Sequence, residues 1–129
     1  MERANILNTT IDNLTMQETL QAVVHAIHNS KQIHHVVVNA GKMVAMQRDL
    51  KLRQSVNSCD LINADGQAVV WASRILGQPL KERVAGIDLM ENLVELAYNK
   101  NFKIFFFRII LLISTYQTKK NDAKIPVIT

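Results

Sequence analysis

Three short apolar runs, Ile33–Val38, Leu61–Ile62 and Lys103–Phe107, are separated by stretches that carry a helical period, and this alternation constrains the chain most. The run Ile33-His34-His35-Val36-Val37-Val38 is β-branched and does not alternate cleanly, which predicts a strand covered on both faces. Thr15-Met16-Gln17-Glu18 has the pattern of a capping box. Behind it Met16, Leu20, Val23, Val24 and Ile27 fall on one face of a 3.6-residue period, with Gln21, His25 and Asn29 opposite. Helical pieces are expected over Lys42–Gln47, over Leu50–Val56 with Asp49 as its cap, and over Gln67–Leu76 ending at Gly77. A further helix is expected to open on the pair Asp88 and Glu91 and run through Asn99, burying Met90, Leu93, Val94 and Ala97. Strands alternating with helices predict the α/β class, Rossmann-like, with a mostly parallel sheet and flanking helices. Ile6–Leu14 reads as a small strand or hairpin ahead of it.

Composition narrows the function. At 129 residues, 48% hydrophobic and 20% charged, the chain can bury one substantial core. The formal charge of +4 sits mostly at one end. Of fifteen Lys and Arg, four lie in 108–129 (Arg108, Lys119, Lys120 and Lys124), and of eleven Asp and Glu only Asp122 does, so residues 1–107 carry eleven against ten. That near-neutral body lacks the basic clusters that track phosphate backbones, so nucleic acid is not an expected partner. A single cysteine, Cys59, precludes an intramolecular disulfide and fits a reducing compartment. No export signal opens the sequence. The apolar run Ile104–Ile113, interrupted by Arg108, is shorter than the roughly 20 residues of a membrane helix. The expected location is cytoplasmic.

In parallel α/β sheets ligands bind beyond the carboxyl ends of the strands, and here polar segments stand at two of them, Asn39-Ala40-Gly41 and Asn63-Ala64-Asp65-Gly66-Gln67. Asp65 suits a general base, or equally a cap for the helix that follows. Asn39 could bond a ligand or simply end its strand. Arg83, in Lys81-Glu82-Arg83 between Pro79 and Gly86, could neutralise a pyrophosphate or belong to an ordinary solvated charge run. His25 and His28 lack a completing carboxylate or cysteine, and the neighbours His34 and His35 point to opposite faces of a strand, so no metal site is expected. Ser73 and Cys59 lack a nucleophile's context, and no phosphate-binding glycine motif occurs. Trp71 and Phe105–Phe107 read as core.

Taken together, Val38-Asn39-Ala40, Leu61-Ile62-Asn63-Ala64-Asp65-Gly66, Gly77-Gln78-Pro79-Leu80-Lys81-Glu82-Arg83-Val84-Ala85-Gly86 and Asp88-Leu89 resemble the WecG/TagA/CpsF family of bacterial glycosyltransferases. The resemblance runs from about residue 5 to Phe107. It implies transfer of an N-acetylmannosamine-type sugar from a UDP donor to a polyprenol-pyrophosphate-linked N-acetylglucosamine, with inversion, in the making of teichoic acid or related surface polymers. It implies Asp65 as the catalytic base. Asn39, Gly66, Gln67, Arg83 and Gly86 would bind substrate, Arg83 by holding phosphate. It implies no cofactor, no obligatory metal, and peripheral contact with the inner face of the cell membrane.

The pattern changes after Phe107. Where the family has a glycine-containing turn opening a helix, this chain has Arg108-Ile109-Ile110-Leu111-Leu112-Ile113-Ser114-Thr115-Tyr116 and then a basic, polar end. Residues 1–107 are therefore expected to form the N-terminal part of the domain, and 108–129 an atypical tail of the kind that a frameshift or premature stop produces. A domain truncated in this way would lack part of its nucleotide pocket. It would leave Ile109–Ile113 to pack as a substitute or to self-associate in a homo-oligomer.

Overall fold

A computed structural model describes residues 2–107, 110–115 and 127–128. The tail expected at 108–129 lies largely outside the described residues. The elements in order are β1 (Arg3–Ile6), β2 (Thr9–Asp12), α1 (Met16–His28), β3 (His35–Val38), α2 (Ala40–Arg48), α3 (Leu50–Asn57) and β4 (Leu61–Ala64). They continue with α4 (Gln67–Ile75), α5 (Gly86–Lys100), β5 (Phe102–Phe107), β6 (Ile110–Thr115) and β7 (Val127–Ile128).

The expected parallel pairing joins β3 to β4, with His35, Val36, Val37 and Val38 opposite Leu61, Ile62, Asn63 and Ala64. Period-two alternation then divides two cores. On one face Val38, Ile62 and Ala64 pack with Met43 and Met46 of α2, Val56 of α3, Val69 of α4, and Ile6 and Ile11 of the hairpin. On the other, Leu61 packs with Val23 and Ile27 of α1 and Leu89 and Leu93 of α5. The sheet is thus covered on both sides, as its unalternating apolar sequence requires.

Local signals hold where they are specific. Thr15 and Glu18 form both halves of the capping box. The Asp49 carboxylate accepts from the Leu52 amide at 3.0 Å, opening α3. The N-terminal segment is a hairpin, Ile6 opposite Thr9, whose two loop residues Leu7 and Asn8 both have positive φ, 49° and 62°, as a two-residue turn matched to strand twist requires. Asp12 ties this hairpin to the sheet: its buried carboxylate accepts from Arg3 Nε and from the Ile62 amide, each at 2.8 Å.

Other expectations are corrected. Helix α5 begins at Gly86 and not at an Asp88–Glu91 capping pair: Ala85 is its N-cap, with no side-chain cap bond. Its buried stripe is Leu89, Leu93 and Ala97: Leu93 and Ala97 are buried as expected, while Leu89 replaces Met90 and Val94, which are exposed. Trp71 is not core: it is 58% exposed, because Val69, Val70 and Ser73 supply the inward stripe of α4. Strand β5 forms where expected but pairs antiparallel with β6, and Phe105 remains 46% exposed. No helix among the described residues is long and apolar enough to cross a membrane.

Candidate active site

Strands β3 and β4 end side by side, and the ladder continues one step past them: the Asp65 amide donates to the Val38 carbonyl at 2.8 Å. This fixes the backbone of Asp65 at the strand ends. Its side chain is left for other work, since Gly66 is the N-cap of α4 and no side chain caps that helix. The carboxylate makes no hydrogen bond among the described residues. Of the two uses open to Asp65 on sequence, helix capping is not the one adopted.

The residues around it come from three loops. Asn39 caps α2, its Oδ1 accepting from the Lys42 amide at 2.8 Å, so it both ends β3 and opens the next helix. Gly66 lies against it: a Cβ there would stand 3.7 Å from the Asn39 Cβ. Gly86, the first residue of α5, covers the other side, where a Cβ would stand 3.3 Å from Val37 Cγ2 and 3.5 Å from Asp65 Oδ2. A Cβ at 86 would crowd Val37 and stand in contact with the carboxylate. Arg83 Nη2 stands 3.8 Å from Asp65 Oδ1, an ion pair without a direct hydrogen bond, with side chains 50% and 28% exposed. Gln67 is exposed on the first turn of α4. The structure therefore brings Asn39, Asp65, Gly66, Arg83 and Gly86 together, with Gln67 at the rim.

The starts of α2, α4 and α5 all meet at this carboxylate, and the last two carry no side-chain cap. Helix starts present amide donors and the positive end of the helix dipole. The arrangement thus combines a half-buried carboxylate with a guanidinium and amide donors suited to an anion. Lys42 Nζ adds a second cation at the same strand end, donating to the Val37 carbonyl at 2.9 Å.

The segment carrying Arg83 is exposed at Lys81, Glu82 and Arg83 but anchored to the body. Leu80 and Val84 are buried, Lys81 Nζ pairs with Glu18 Oε1 at 2.9 Å, the Glu82 carboxylate accepts from the Met16 amide, and the Val84 amide donates to the Ala64 carbonyl at 2.8 Å. Lys81 and Glu82 face the body while Arg83 faces Asp65.

Sequence reasoning missed the polar network beneath the site. Thr19 Oγ1 donates to the Thr15 carbonyl at 2.8 Å and accepts from Asn63 Nδ2 at 3.1 Å, so Asn63 Oδ1 faces His35 Nε2 at 2.8 Å as the acceptor. His35 must therefore hold its proton on Nε2. Burial pushes the His35 pKa below its ordinary value, with the Asn63 bond acting in the opposite sense. Histidine in a β-branched run was the available signal, since only a satisfied imidazole is placed there. His34, which precedes β3, is half exposed near Asp60. Burial raises the Cys59 thiol, which disfavours the thiolate a nucleophile needs. Among the described residues no group of three or more His, Cys, Asp or Glu side chains could hold a metal.

Comparison with known proteins gives the family. The model of the glycosyl transferase WecG/TagA/CpsF family matches residues 4–108. An N-acetylglucosaminyldiphosphoundecaprenol N-acetyl-beta-D-mannosaminyltransferase of Staphylococcus aureus is 31% identical over 108 residues, covering 80% of this chain and 41% of the relative. A protein of the same name from Bacillus spizizenii is 40% identical over 52 residues, 40% of this chain and 20% of the relative. The chain thus spans about two fifths or less of the curated relatives it matches. With the family model matching residues 4–108, well over half of its length, this chain belongs to the WecG/TagA/CpsF family of glycosyl transferases.

Proposed function

We propose that the protein acts in transfer of an N-acetylmannosamine-type sugar from a UDP donor to a polyprenol-pyrophosphate-linked N-acetylglucosamine, in teichoic acid or related surface-polymer synthesis. The observation that carries this reading is the Asp65 carboxylate, uncapped and half-buried where three helix starts and Arg83 meet. In the proposed step the acceptor hydroxyl gives its proton to Asp65 as its oxygen bonds to the anomeric carbon. The bond from that carbon to the UDP oxygen breaks, its electron pair leaves on the diphosphate, and the configuration inverts. Arg83 and the helix-start amides offset the diphosphate charge, while Asn39, Gly66, Gln67 and Gly86 shape the pocket. The acceptor lipid would be met at the inner face of the cell membrane. The names of the relatives support the acceptor and the sugar.

The test is transfer from UDP-N-acetylmannosamine to a lipid-linked N-acetylglucosamine acceptor. Asp65→Asn should lower turnover by roughly 10²- to 10⁴-fold, the usual contribution of a general base. Undiminished turnover by that variant removes Asp65 from the mechanism. A second reading is a UDP-sugar-binding module without turnover. Calorimetry that finds UDP binding in a chain with no transferase activity selects it.

A further inference from the structure

We infer that Glu82 is a positioning residue, which holds Arg83 against Asp65 by fastening the arginine loop to the first turn of α1; the inference rests on the reading of Arg83 as a phosphate-binding residue. The loop between α4 and α5 is pinned on both sides of Arg83. Before it, the Asn13 side chain acts as a short strand: its Oδ1 accepts from the Lys81 amide at 2.8 Å and its Nδ2 donates to the Pro79 carbonyl at 3.4 Å. After it, the Val84 amide is held by Ala64 at 2.8 Å and the Val84 side chain is buried. Between these two anchors neither the Glu82 nor the Arg83 amide donates a backbone hydrogen bond among the described residues. What fixes the peptide between them is the Glu82 side chain, whose Oε1 accepts from the Met16 amide. Met16 is the first residue of α1, so its N–H has no partner inside the helix, and a carboxylate is the group that such a helix start favours. With residue 82 turned inward to α1, the next side chain is turned away from α1 and toward Asp65, 3.8 Å distant. The bond that Glu82 makes is to α1 and not to Asp65, so its effect on a ligand would run through Arg83.

The test is a double-mutant cycle on the full 129-residue chain, with UDP as the calorimetric probe. Arg83→Ala should weaken UDP by about tenfold or more, the loss of one charge-assisted contact. Glu82→Ala should weaken it by a similar factor in the parent chain and by none in the Arg83→Ala background. Glu82→Gln, which keeps an acceptor for the Met16 amide, should restore most of the affinity. Amide exchange should show faster exchange confined to residues 81–84 and 16 in Glu82→Ala, with the amides of β4 unchanged. A Glu82→Ala variant that binds UDP as the parent does overturns the inference, as does a loss that persists undiminished in the Arg83→Ala background. UDP binding that is insensitive to Arg83→Ala, or absent from the parent chain, overturns the functional reading itself and the inference with it.

Discussion

Removal of the Asp12 carboxylate should be the most damaging single substitution outside the apolar cores. Its side chain is fully buried, and each oxygen has one donor at 2.8 Å: Arg3 Nε from the hairpin and the Ile62 amide from β4. In Asp12→Ala the Ile62 amide, on a residue with no exposure, loses its acceptor. Such an orphaned group costs about 1–3 kcal/mol. The Arg3 side chain is 38% exposed and can turn to water, so its share is discounted to about 0.5–1 kcal/mol. Together with the lost packing the variant should be less stable by roughly 2–4 kcal/mol. Asp12→Asn keeps one acceptor oxygen for Ile62 and should lose about half as much. Urea unfolding of the full chain measures both, and with a slope of about 1–2 kcal/mol/M the Ala midpoint should fall by more than about 1 M at unchanged slope. An Asp12→Ala midpoint within about 0.3 M of the parent would refute the assignment of the carboxylate as the hairpin's tie to the sheet.

The glycines at the site should respond unequally. Gly86→Val forces atoms into space already limited at 3.3 Å by Val37 and 3.5 Å by Asp65, and should cost about 1–3 kcal/mol and lower UDP affinity in calorimetry, whereas Gly66→Ala meets only ordinary contacts at 3.7 Å and should be nearly neutral in stability by urea unfolding. His35 should make stability depend on pH. Burial depresses its folded pKa, so the unfolded chain binds the proton first; the contribution is complete above about pH 6.5 and is lost as pH falls from there toward the lowered folded value. Urea midpoints at about pH 7.5 and 5.5 should therefore differ less in His35→Gln than in the parent, and equal differences would count against the buried neutral imidazole.

Much of this architecture is legible in the residues, and the division follows the range of the forces. Thr15 with Glu18, and Asp49 with the amide of Leu52, are contacts three residues apart, so sequence shows both partners at once. The strand-end placement of Asp65 follows similarly from Leu61–Ala64 before it and Gly66 after it. The role of Asp12 has no local signal, because its partner Ile62 lies fifty residues away. For the same reason nothing local announced that β5 would pair with β6, or that Asn63 would join His35 to Thr19. Trp71 misled because α4 is apolar on more than one side, and only the sheet beneath it selects Val69, Val70 and Ser73 as the inner stripe. That Asp65 does not cap α4 became visible only in the structure, where Gly66 occupies the N-cap.

The hydrogen bond from the Asp65 amide to the Val38 carbonyl makes the carboxylate part of the last rung of the β3–β4 ladder. Rungs at the end of a ladder fray before the middle opens. Mild heating or denaturant that leaves the two cores intact should thus already displace Asp65 from Arg83 and Gly86, so that the site fails over a range where spectroscopic measures of folding have not begun to change. Substitutions at Val36 or Ile62, which lie further down the strands, would act on the site by the same route, through how tightly those two strands close at their tip.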